Sequence, residues 1–593
     1  PVVSLIIGVD FGTSASGFAY CKLGGGDAPR VVTHERWPDQ PVPYAKTRTA
    51  VLYQGSRLEA WGWSAWKRWG EMSEGVRRAG SYSYLESFKL LLAEGGEPVD
   101  TVCPLPPGLT ATQVVTDFLS ALRSYIVKVL RRSAAITLQP GRTVWCLTLP
   151  AMWSDAAKAA NRAGLSHAQD PASLVLTLEP EAAMLSAALP SQAPNAGLFT
   201  VGVPAVLPGG NPSLLADGDV VLVLDCGGGT VDATLHRVRG SGERLKLEEA
   251  AVTRGLLAGG RCVDAAAWAF IRQAVGAAQW DKWKAHNPVE WLVLMGNWEA
   301  VKRSFGGVPS KTSILARMAR SELRVVLPPG LVQAIGPMRL AELSPAVAGN
   351  IRTCITPEGL LVLPGQAVAA EIFGPVVDQI VALAWELLEE GAGLDNSCNK
   401  VLLAGGFASS PYLQRRVKEA LDMQAVLTPR EPGAAIVTGA VLFGRQPTRL
   451  SARRCRCSYG VGTSRPWTSE DAVSNAAFEG VFTRLVKRAE LVAVGQVAKK
   501  KCAPVLRSQA AIMFTLYDTP SNEARYTGEP DMRQLAHIKL ELPKDWASTV
   551  SDPEDYPLEV EVRFGATELS LVARDMKTGD AVATTITWFG DVE

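Results

Sequence analysis

The sequence predicts an α/β protein of two similar lobes, followed by a β-sandwich. Three observations lead to this fold class: one turn pattern occurs twice, buried strands alternate with Ala-rich helices as far as about residue 447, and short runs of alternating polarity follow from about Thr448. At 593 residues the chain is also too long for one core, since single cores stop growing at about 250 to 300 residues. We therefore expect more than one domain.

The composition is that of a folded globular protein without a strong charge bias. Hydrophobic residues make up 47% and charged residues 20%, and 60 basic against 59 acidic side chains leave a net charge of +1. No overall field therefore favours nucleic acid or an anionic membrane. The 10 cysteines are scattered, and Cys455 and Cys457 are too closely spaced for a zinc or redox motif. Reduced thiols and a cytoplasmic location are expected.

No targeting or membrane segment is predicted. No charged-then-apolar leader precedes Pro1. The long charge-free stretch at residues 189–216 is predicted to be a loop, because its several Pro and Gly residues would make a poor membrane helix. Two short basic clusters are expected to form solvated surface rather than a binding patch. They are Arg453 with Arg454 and Arg456, and residues 499–501.

A glycine-rich hairpin is predicted within VLVLDCGGGTVDATLHRV. Residues 221–224 form a buried strand that Asp225 ends, and a second strand begins at Val231. Asp232, next in this strand, is expected either to cap the strand or to take part in a site. For this stretch alone an ordinary β-turn is an equally good interpretation. The tight reversal is made possible by three glycines, which adopt backbone conformations closed to other residues: Gly227, Gly228 and Gly229.

The same order of residues occurs near the N-terminus in SLIIGVDFGTSASGFAYCKL. An apolar strand ends at Asp10, and Gly12, Thr13 and Ser14 form the turn before a second apolar run. Facing one another across a cleft, the two turns would direct backbone N–H groups and hydroxyls, including that of Thr230, at a polyphosphate. Neither turn has the Gly-Lys-Ser/Thr of a Walker loop. The aspartates of the two turns would lie near a magnesium ion, which accepts few carboxylates.

Further segments place polar residues or glycines at the ends of strands and helices. LVLTLEPEAAMLSAAL is a buried strand ended by Glu179, an acid at the edge where α/β folds place chemistry. NWEAVKRSF places Glu299, Lys302 and Arg303 on one side of a helix, where they either bind a ligand or form ion pairs. NKVLLAGGFASSPYLQRRVKEAL is a strand, a glycine turn free to contact a flat ring or a ribose, and a helix. The glycines of that turn are Gly405 and Gly406.

In this order the segments resemble those of the actin and sugar-kinase superfamily, specifically the heat-shock 70 kDa (DnaK-type) protein family. GVDFGTS and DCGGGTVD resemble its two phosphate loops, LEPEAA its connecting segment, EAVKR its adenosine helix and AGGFASSP its adenosine turn. EPEAA and GGFASSP are most similar to the divergent heat-shock 70 kDa protein 12-like branch. The resemblance implies an actin-like ATPase fold with ATP or ADP and Mg²⁺ as ligands.

The resemblance also implies a role for each matching residue. Asp10 and Asp225 would organise magnesium, in part through water, and Glu179 would orient the attacking water. Lys89, in YLESFKLLL, would reach the γ-phosphate, because phosphoryl transfer depends on positioning and charge neutralisation; a surface lysine is the alternative. Contacts to the phosphates would come from the glycines of both turns and from Thr13, Ser14 and Thr230, and contacts to adenosine from Glu299, Lys302, Arg303, Gly405 and Gly406.

Departures from the family pattern concern hydrolysis more than binding. AGGRCVD has Arg261 where the family carries an acid, and EPGAAIVTGA has Gly433 and Ala434 where the family carries two acids. The connection between Glu179 and Asp225 is longer than usual and rich in Pro and Gly. A nucleotide-binding adaptor or scaffold with little or no turnover is therefore the alternative to an ATPase.

From about Thr448 short runs alternate apolar and polar residues, which is typical of a β-sandwich. The runs are AIMFTLYD, HIKLELP, LEVEVRF, LSLVARD and AVATTITW. The last part resembles the family's peptide-holding β-sandwich, which implies that main-chain pairing captures an extended peptide. A sandwich lacking the family's helical lid is expected, since the chain stops near the last predicted strand. PTRLSARRCRCS replaces the family's acidic, leucine-rich linker.

The expected function is that of an ATP-binding, chaperone-like protein. It would hydrolyse ATP slowly with Mg²⁺ and bind unfolded or extended peptide clients or a specific protein partner. A small-metabolite kinase is ranked last, because it would lack the EAVKR helix and the C-terminal sandwich. The expected domains are 1–447 and 448–593; within the first, lobe I comprises about 1–190 and 375–447, and lobe II about 191–374.

Overall fold

The computed structural model describes most of the chain as a mixed α/β protein with several sheets. The described residues are 2–24, 30–92, 105–150, 174–189, 198–200, 215–306, 322–343, 353–356, 358–422, 425–463, 480–565 and 568–587. For residues 198–200 the backbone alone is described. The arrangement of sheets and helices is consistent with an actin-like ATPase fold.

A six-stranded sheet near the N-terminus carries the first glycine hairpin. The strands of this part of the chain are β1 (Leu5–Asp10), β2 (Ala15–Lys22), β3 (Val32–Thr33), β4 (Lys46–Arg48), β5 (Ala50–Gln54), β6 (Arg57–Trp61), β7 (Tyr82–Glu86), β8 (Thr143–Leu149) and β9 (Leu174–Leu178). The sheet has the order β3-β2-β1-β8-β9, with β4 also paired to β2, and β5 to β7 form a separate small sheet. β1 is buried along its whole length, as an apolar strand between two neighbours should be.

The remaining strands follow in two groups. The first group is β10 (Leu198–Thr200), β11 (Val220–Cys226), β12 (Val231–Arg239), β13 (Lys246–Glu249), β14 (Arg254–Leu256), β15 (Glu322–Val326), β16 (Cys354–Ile355), β17 (Leu360–Pro364), β18 (Lys400–Ala404) and β19 (Val426–Pro429). The second group is β20 (Leu450–Arg454), β21 (Ser458–Thr463), β22 (Val481–Val486), β23 (Leu491–Ala493), β24 (Val497–Cys502), β25 (Ala511–Thr519), β26 (Arg533–Glu541), β27 (Leu558–Phe564), β28 (Glu568–Asp575) and β29 (Ala581–Thr587).

A nine-stranded sheet carries the second glycine hairpin. It has the order β10-β19-β18-β11-β12-β13-β20-β23, with β14 paired to β12. β11 pairs antiparallel with β12, which sets Asp225 opposite Asp232, and parallel with β18. β18 and β19 fall within residues 375–447, the segment predicted to return to the first lobe, and they lie in the same sheet as β11; the lobe boundaries stay a prediction. The parallel pairing requires a long crossover, which is supplied by the chain between β11 and β18.

The helices of the described residues cover the sheets. They are α1 (Gly62–Glu71), α2 (Glu74–Ala79), α3 (Ala111–Ser133), α4 (Glu179–Ala188), α5 (Gly260–Val275), α6 (Ala277–His286), α7 (Pro288–Ser304), α8 (Pro329–Glu342), α9 (Gly374–Gly393), α10 (Pro411–Leu421) and α11 (Pro432–Arg445). α4 and α11 pack against each other between the two main sheets. A β-carbon on Gly439 would collide with the backbone of Ala182, so glycine there lets the two helices approach closely.

Helix α3 and the helix that includes α9 are both rich in apolar residues, and the fold buries these residues to different extents. In α3 an apolar stripe that includes Val115, Phe118 and Leu122 is fully buried against the first sheet. α9 continues from a π-helical turn, Val368–Phe373. The combined helix Gly365–Gly393 is long and apolar enough to cross a membrane by length and composition, and 50% of its most apolar window is buried inside the protein.

The C-terminal part contains two four-stranded antiparallel sheets. Their orders are β22-β21-β25-β26 and β24-β27-β28-β29. The five alternating runs predicted as strands are confirmed as β25 to β29, and residues from both sheets share one hydrophobic cluster. β20 and β23, however, belong to the nine-stranded sheet. The chain beyond residue 448 is thus continuous, by hydrogen bonding, with the sheet of the second hairpin.

Candidate functional site

The two glycine turns lie against each other. A β-carbon on Gly228 would lie 2.8 Å from the Cβ of Ser14, and one on Gly229 would lie 2.9 Å from the Oγ1 of Thr13. Side chains do not fit at such distances, so the close approach requires glycine. Thr13 is buried and Ser14 is exposed. The two aspartate-headed turns, which the sequence predicts to face one another, therefore do converge.

Each turn is held by a neighbouring segment. In the first turn, the hydroxyl of Thr49 donates to the carbonyl of Gly12 at 2.7 Å, and the N–H of Thr49 donates to the carbonyl of Ser14 at 3.1 Å. In the second turn, the backbone N–H groups of residues 259–261 donate to the carbonyls of residues 227–229 at 2.8 to 3.1 Å. The turn carbonyls are thereby fixed, which is the preorganisation that phosphate binding by backbone N–H groups requires.

Asp10 ends β1 and is paired with a lysine that sequence analysis did not single out. The Nζ of Lys46 lies 2.6 Å from the Oδ2 of Asp10, and both side chains are buried. Lys46 stands opposite Gly17 in the β2–β4 pairing, and Gly17 stands opposite Asp10 in the β1–β2 pairing. Burial opposes the ammonium form, but the charge of Asp10 outweighs it and raises the pKa of Lys46. No local motif marks Lys46, because its partner lies on another strand.

Asp225 is the last residue but one of β11, and within the part of the chain that the structure describes neither oxygen of its buried carboxylate has a hydrogen-bond partner. Burial raises the pKa of Asp225 well above its ordinary value, and the nearby charges of Glu179 and Asp232 raise it further. Gly405, with φ of +84°, lies so close that a β-carbon there would collide with the Oδ1 of Asp225. Buried polar groups are normally hydrogen-bonded, so an unpaired carboxylate between two glycine turns indicates a place for a cation.

Glu179 and Lys89 form a buried ion pair beside the two turns. The Nζ of Lys89 lies 2.8 Å from the Oε1 of Glu179 and donates to the carbonyl of Phe11 at 2.6 Å. Glu179 is the first residue of α4, and Lys89 lies in the 3₁₀ turn Phe88–Leu92. Burial raises the pKa of Glu179, against the opposing charge of Lys89. The alternative that Lys89 is a surface lysine is wrong, since its side chain is 2% exposed.

The three residues predicted on one face of a helix lie on α7 and pair with one another. Glu299 lies 2.6 Å from the Nζ of Lys302 and 2.7 Å from the Nε of Arg303. Burial would raise the pKa of Glu299, but the two cations, Lys302 foremost, lower it to about 2. Lys302 also pairs with Asp264 at 2.8 Å, a partner that sequence analysis missed. The ion-paired helix face is therefore present, and contact of these residues with adenosine stays a prediction.

Arg261, the departure from the family pattern, joins the two halves of the site. Its Nε donates to the Oγ of Ser87 at 2.7 Å, and its Nη2 lies 3.3 Å from the Oε2 of Glu86. Glu86 also accepts from Arg48 at 2.7 Å. Arg261 thus links the segment bracing the second turn to the strand that leads to Lys89.

The basic cluster predicted as solvated surface is wrong for Arg453. Its side chain is 1% exposed and its Nη2 lies 2.6 Å from the Oε1 of Glu181. Its Nη1 lies 3.4 Å from the Oε1 of Glu249. The charged partners come from α4 and β13, far away along the chain, so the sequence pattern did not reveal them. In the other cluster Lys499 is half-exposed and pairs with Glu559, in agreement with a solvated surface.

The residues present fit a magnesium-bound phosphate group. No three His, Cys, Asp or Glu side chains converge as a metal cluster within the part of the chain that the structure describes. Magnesium, however, takes one or two carboxylates and keeps several waters, which the unpaired carboxylate of Asp225 satisfies. Thr13 and Thr230 place hydroxyls on the two turns. Asp10 has a lysine as its neighbour, so it is the less available of the two aspartates.

Comparison with known proteins gives a consistent result. No family model matches the chain. Heat shock 70 kDa protein 12A of Homo sapiens is 26% identical over 630 residues, which cover 98% of this chain and 90% of that protein. Heat shock 70 kDa protein 12B of Homo sapiens is 26% identical over 654 residues, 98% of this chain and 91% of that protein. The chain is thus a homologue of heat shock 70 kDa proteins 12A and 12B over nearly its whole length, which supports the resemblance predicted from its segments.

Proposed function

We propose that this protein binds ATP or ADP with Mg²⁺ between its two glycine turns and hydrolyses ATP slowly. The observation that carries the proposal is the buried, unpaired carboxylate of Asp225 where Gly228 and Gly229 contact the first turn. Glycine turns that present backbone N–H groups favour phosphate. The relatives of the chain are named as 70 kDa heat-shock proteins, which supports a chaperone-like ATP-binding role.

Different residues of the site would hold the metal ion, orient the phosphates and supply positive charge for phosphoryl transfer. Bound magnesium would neutralise phosphate charge, and Asp225 is the carboxylate available to hold it and its waters. The glycine turns, with Thr13 and Thr230, orient the phosphates. Lys89 supplies positive charge on the side of the first turn, because it already lies against the carbonyl of Phe11. Such positioning and charge neutralisation are the main contributions that proteins make to this reaction.

Glu179 is the residue suited to orient and deprotonate a water molecule. Its raised pKa brings a carboxyl group nearer to the working pH, which is the property of an effective general base. Its ion pair with Lys89 fixes the position of the carboxylate at the N-terminus of α4. A base held in this way needs no rearrangement to meet a water beside the phosphates.

The C-terminal sheets are the proposed partner-binding part. We infer that they form a β-sandwich, because the two antiparallel sheets share one core. An extended peptide or a protein partner would pair with an edge strand of this sandwich, in the cytoplasm, where the free thiols of the described cysteines persist. Hydrogen bonding of β20 to β13 gives the sandwich a direct connection to the nucleotide half.

Calorimetry with ATP and ADP in the presence of Mg²⁺ tests nucleotide binding. We expect saturable heat of binding for both nucleotides with the wild-type chain and with a Lys499→Met control, since Lys499 lies in a sheet that carries neither glycine turn. Absence of binding at high micromolar nucleotide would reject the proposed function.

Single-turnover hydrolysis separates an ATPase from an adaptor. Glu179→Gln is expected to lower the rate by about 100-fold, within the range for a positioned base, while ATP still binds. Lys89→Met alone leaves a buried, unpaired Glu179, so the double variant Lys89→Met/Glu179→Gln is the better-folded comparison. A wild-type chain that binds ATP and shows no turnover would favour the adaptor.

Partner binding is tested with the full chain, because β20 and β23 pair within the nucleotide half. A peptide array probed with ADP-bound and ATP-bound protein is expected to give nucleotide-dependent signals for extended apolar sequences. Uniform silence in both states would contradict a peptide-binding role.

A further inference from the structure

Lys46 is placed in the site by the backbone rather than by a flexible side chain. Its strand β4 pairs with β2 at Gly17, and a β-carbon on Gly17 would lie 2.5 Å from the carbonyl of Ala45 and 3.1 Å from the Cγ of Lys46. The stem of Lys46 therefore packs over a position where only glycine fits. From there the ammonium reaches Asp10, which stands opposite Gly17 on β1.

The charge of Lys46 acts on all three carboxylates of the site. It pairs directly with Asp10 at 2.6 Å. It also acts electrostatically on Asp225 and on Glu179. Because the ammonium is buried, this interaction is poorly screened by water or salt.

A divalent cation would ordinarily supply such neutralisation in a phosphate site lined by two aspartates. Asp10 already has a cationic partner, whereas Asp225 has no hydrogen-bond partner in the ranges of the chain that the structure describes. The two aspartates therefore differ in what they can bind. Asp10 is paired with Lys46, whereas Asp225 is available to a metal ion. A phosphate arriving at the turns meets a positive charge even when no metal accompanies it.

We propose that Lys46 is a resident cation of the phosphate site, which lets a nucleoside diphosphate bind without a divalent metal ion and leaves Asp225 as the only one of the two aspartates that responds to magnesium. This inference rests on the proposed nucleotide site and names its metal requirement. A lysine that merely stabilised the fold would leave the dependence on metal unchanged.

The test is calorimetry of ADP binding in Mg²⁺ and in EDTA, with the wild-type chain and Lys46→Met. For the wild type we expect Kd in EDTA to stay within about tenfold of its value in Mg²⁺. For Lys46→Met we expect a further loss of about 100-fold in EDTA, as for truncation of one member of a buried charge pair, and partial recovery in Mg²⁺. ADP binding by the wild type that vanishes in EDTA, or Lys46→Met indistinguishable from wild type in both conditions, would overturn the proposal.

A second measurement uses no nucleotide and guards against misfolding of the single variant. The double variant Lys46→Met/Asp10→Asn removes both charges of the pair and avoids an unpaired buried carboxylate. Adding MgCl₂ alone is expected to raise the Tm of Lys46→Met, whose Asp10 is released, more than that of the double variant. Equal Tm shifts would count against the proposal. Wild-type protein that binds no ADP in either condition rejects the nucleotide site itself, whereas binding confined to Mg²⁺ rejects the resident cation alone.

Discussion

The two glycine hairpins share one order of residues and differ in their electrostatics. Asp10 is the last residue of β1 and Asp225 the last but one of β11, and each buried strand leads into a glycine turn. Asp10 lies against the ammonium of Lys46, whereas Asp225 has no hydrogen-bond partner among the described residues and is affected by the charges of Glu179 and Asp232. A local pattern therefore sets the path of the backbone, while residues from distant segments decide what each carboxylate can bind.

The largest expected effect is on the free energy of unfolding. It concerns Arg453, a buried residue that joins helix α4 to strand β13. Arg453 pairs with Glu181 on α4 and with Glu249 on β13. Arg453→Met should lower the free energy of unfolding by about 3 to 5 kcal/mol, because it leaves buried carboxylates without their cation. Urea denaturation measures this change, and Lys499→Met, at a half-exposed lysine, is the control. If the two variants were equally stable, the hairpins would not depend on a common support.

The next prediction compares the contributions of Asp225 and Asp10 to Mg²⁺-dependent ADP binding. Asp225→Asn should weaken Mg²⁺-dependent ADP binding by about 100-fold, the upper range for loss of a group that supports a bound metal. Asp10→Asn should have the smaller effect, because Asp10 is already neutralised by Lys46. Calorimetry in Mg²⁺ compares the two variants. The reverse order of effects would contradict the unequal roles of the hairpins.

Contact between the turns is tested at Gly228. Gly228→Ala should cost about 1 to 3 kcal/mol of stability, because the new β-carbon overlaps the side chain of Ser14. The added change Ser14→Gly should restore part of this loss. Gly296→Ala, on α7 with no atom within 4 Å of the added carbon, is the control and is expected to be stabilising. Thermal unfolding of all four proteins decides whether the turns touch in solution.

The smallest effect is the dependence of stability on pH without nucleotide. The pKa of Asp225 is raised in the folded state, so its contribution is full below its unfolded pKa of about 3.9 and is lost as pH rises through the folded value. The stability of the wild type should therefore fall as pH rises above about 3.9. Asp225→Asn should reduce that fall.

Glu299 should show the opposite dependence of stability on pH in the same measurement. Its pKa is lowered to about 2, so its stabilising contribution is present above its unfolded pKa of about 4.3 and is lost as pH falls toward 2. Glu299→Gln should change only this acid limb, as followed by urea denaturation between pH 3 and 8 in about half-unit steps. Parallel curves for Asp225→Asn and Glu299→Gln would contradict the assignment of opposite shifts.

Elements that depend on neighbouring residues could be predicted from the amino-acid sequence. The strand–turn–strand order at both hairpins, helix α7 and strands β25 to β29 could be predicted, because turn chemistry and apolar periodicity act over a few residues. The resemblance to the heat-shock 70 kDa family follows from such local segments. It therefore survives at 26% identity.

Which charges form pairs and which strands share a sheet became visible in the three-dimensional fold. Lys46 reaches Asp10 across β2, Lys89 is buried against Glu179, and Arg453 lies between two acids rather than in solvent. β18 joins the second sheet because its hydrogen bonds are made with β11. Such pairings join residues far apart in the chain, and a charge is stable in the interior only where packing brings it a partner. The local sequence pattern does not indicate which residue that partner is.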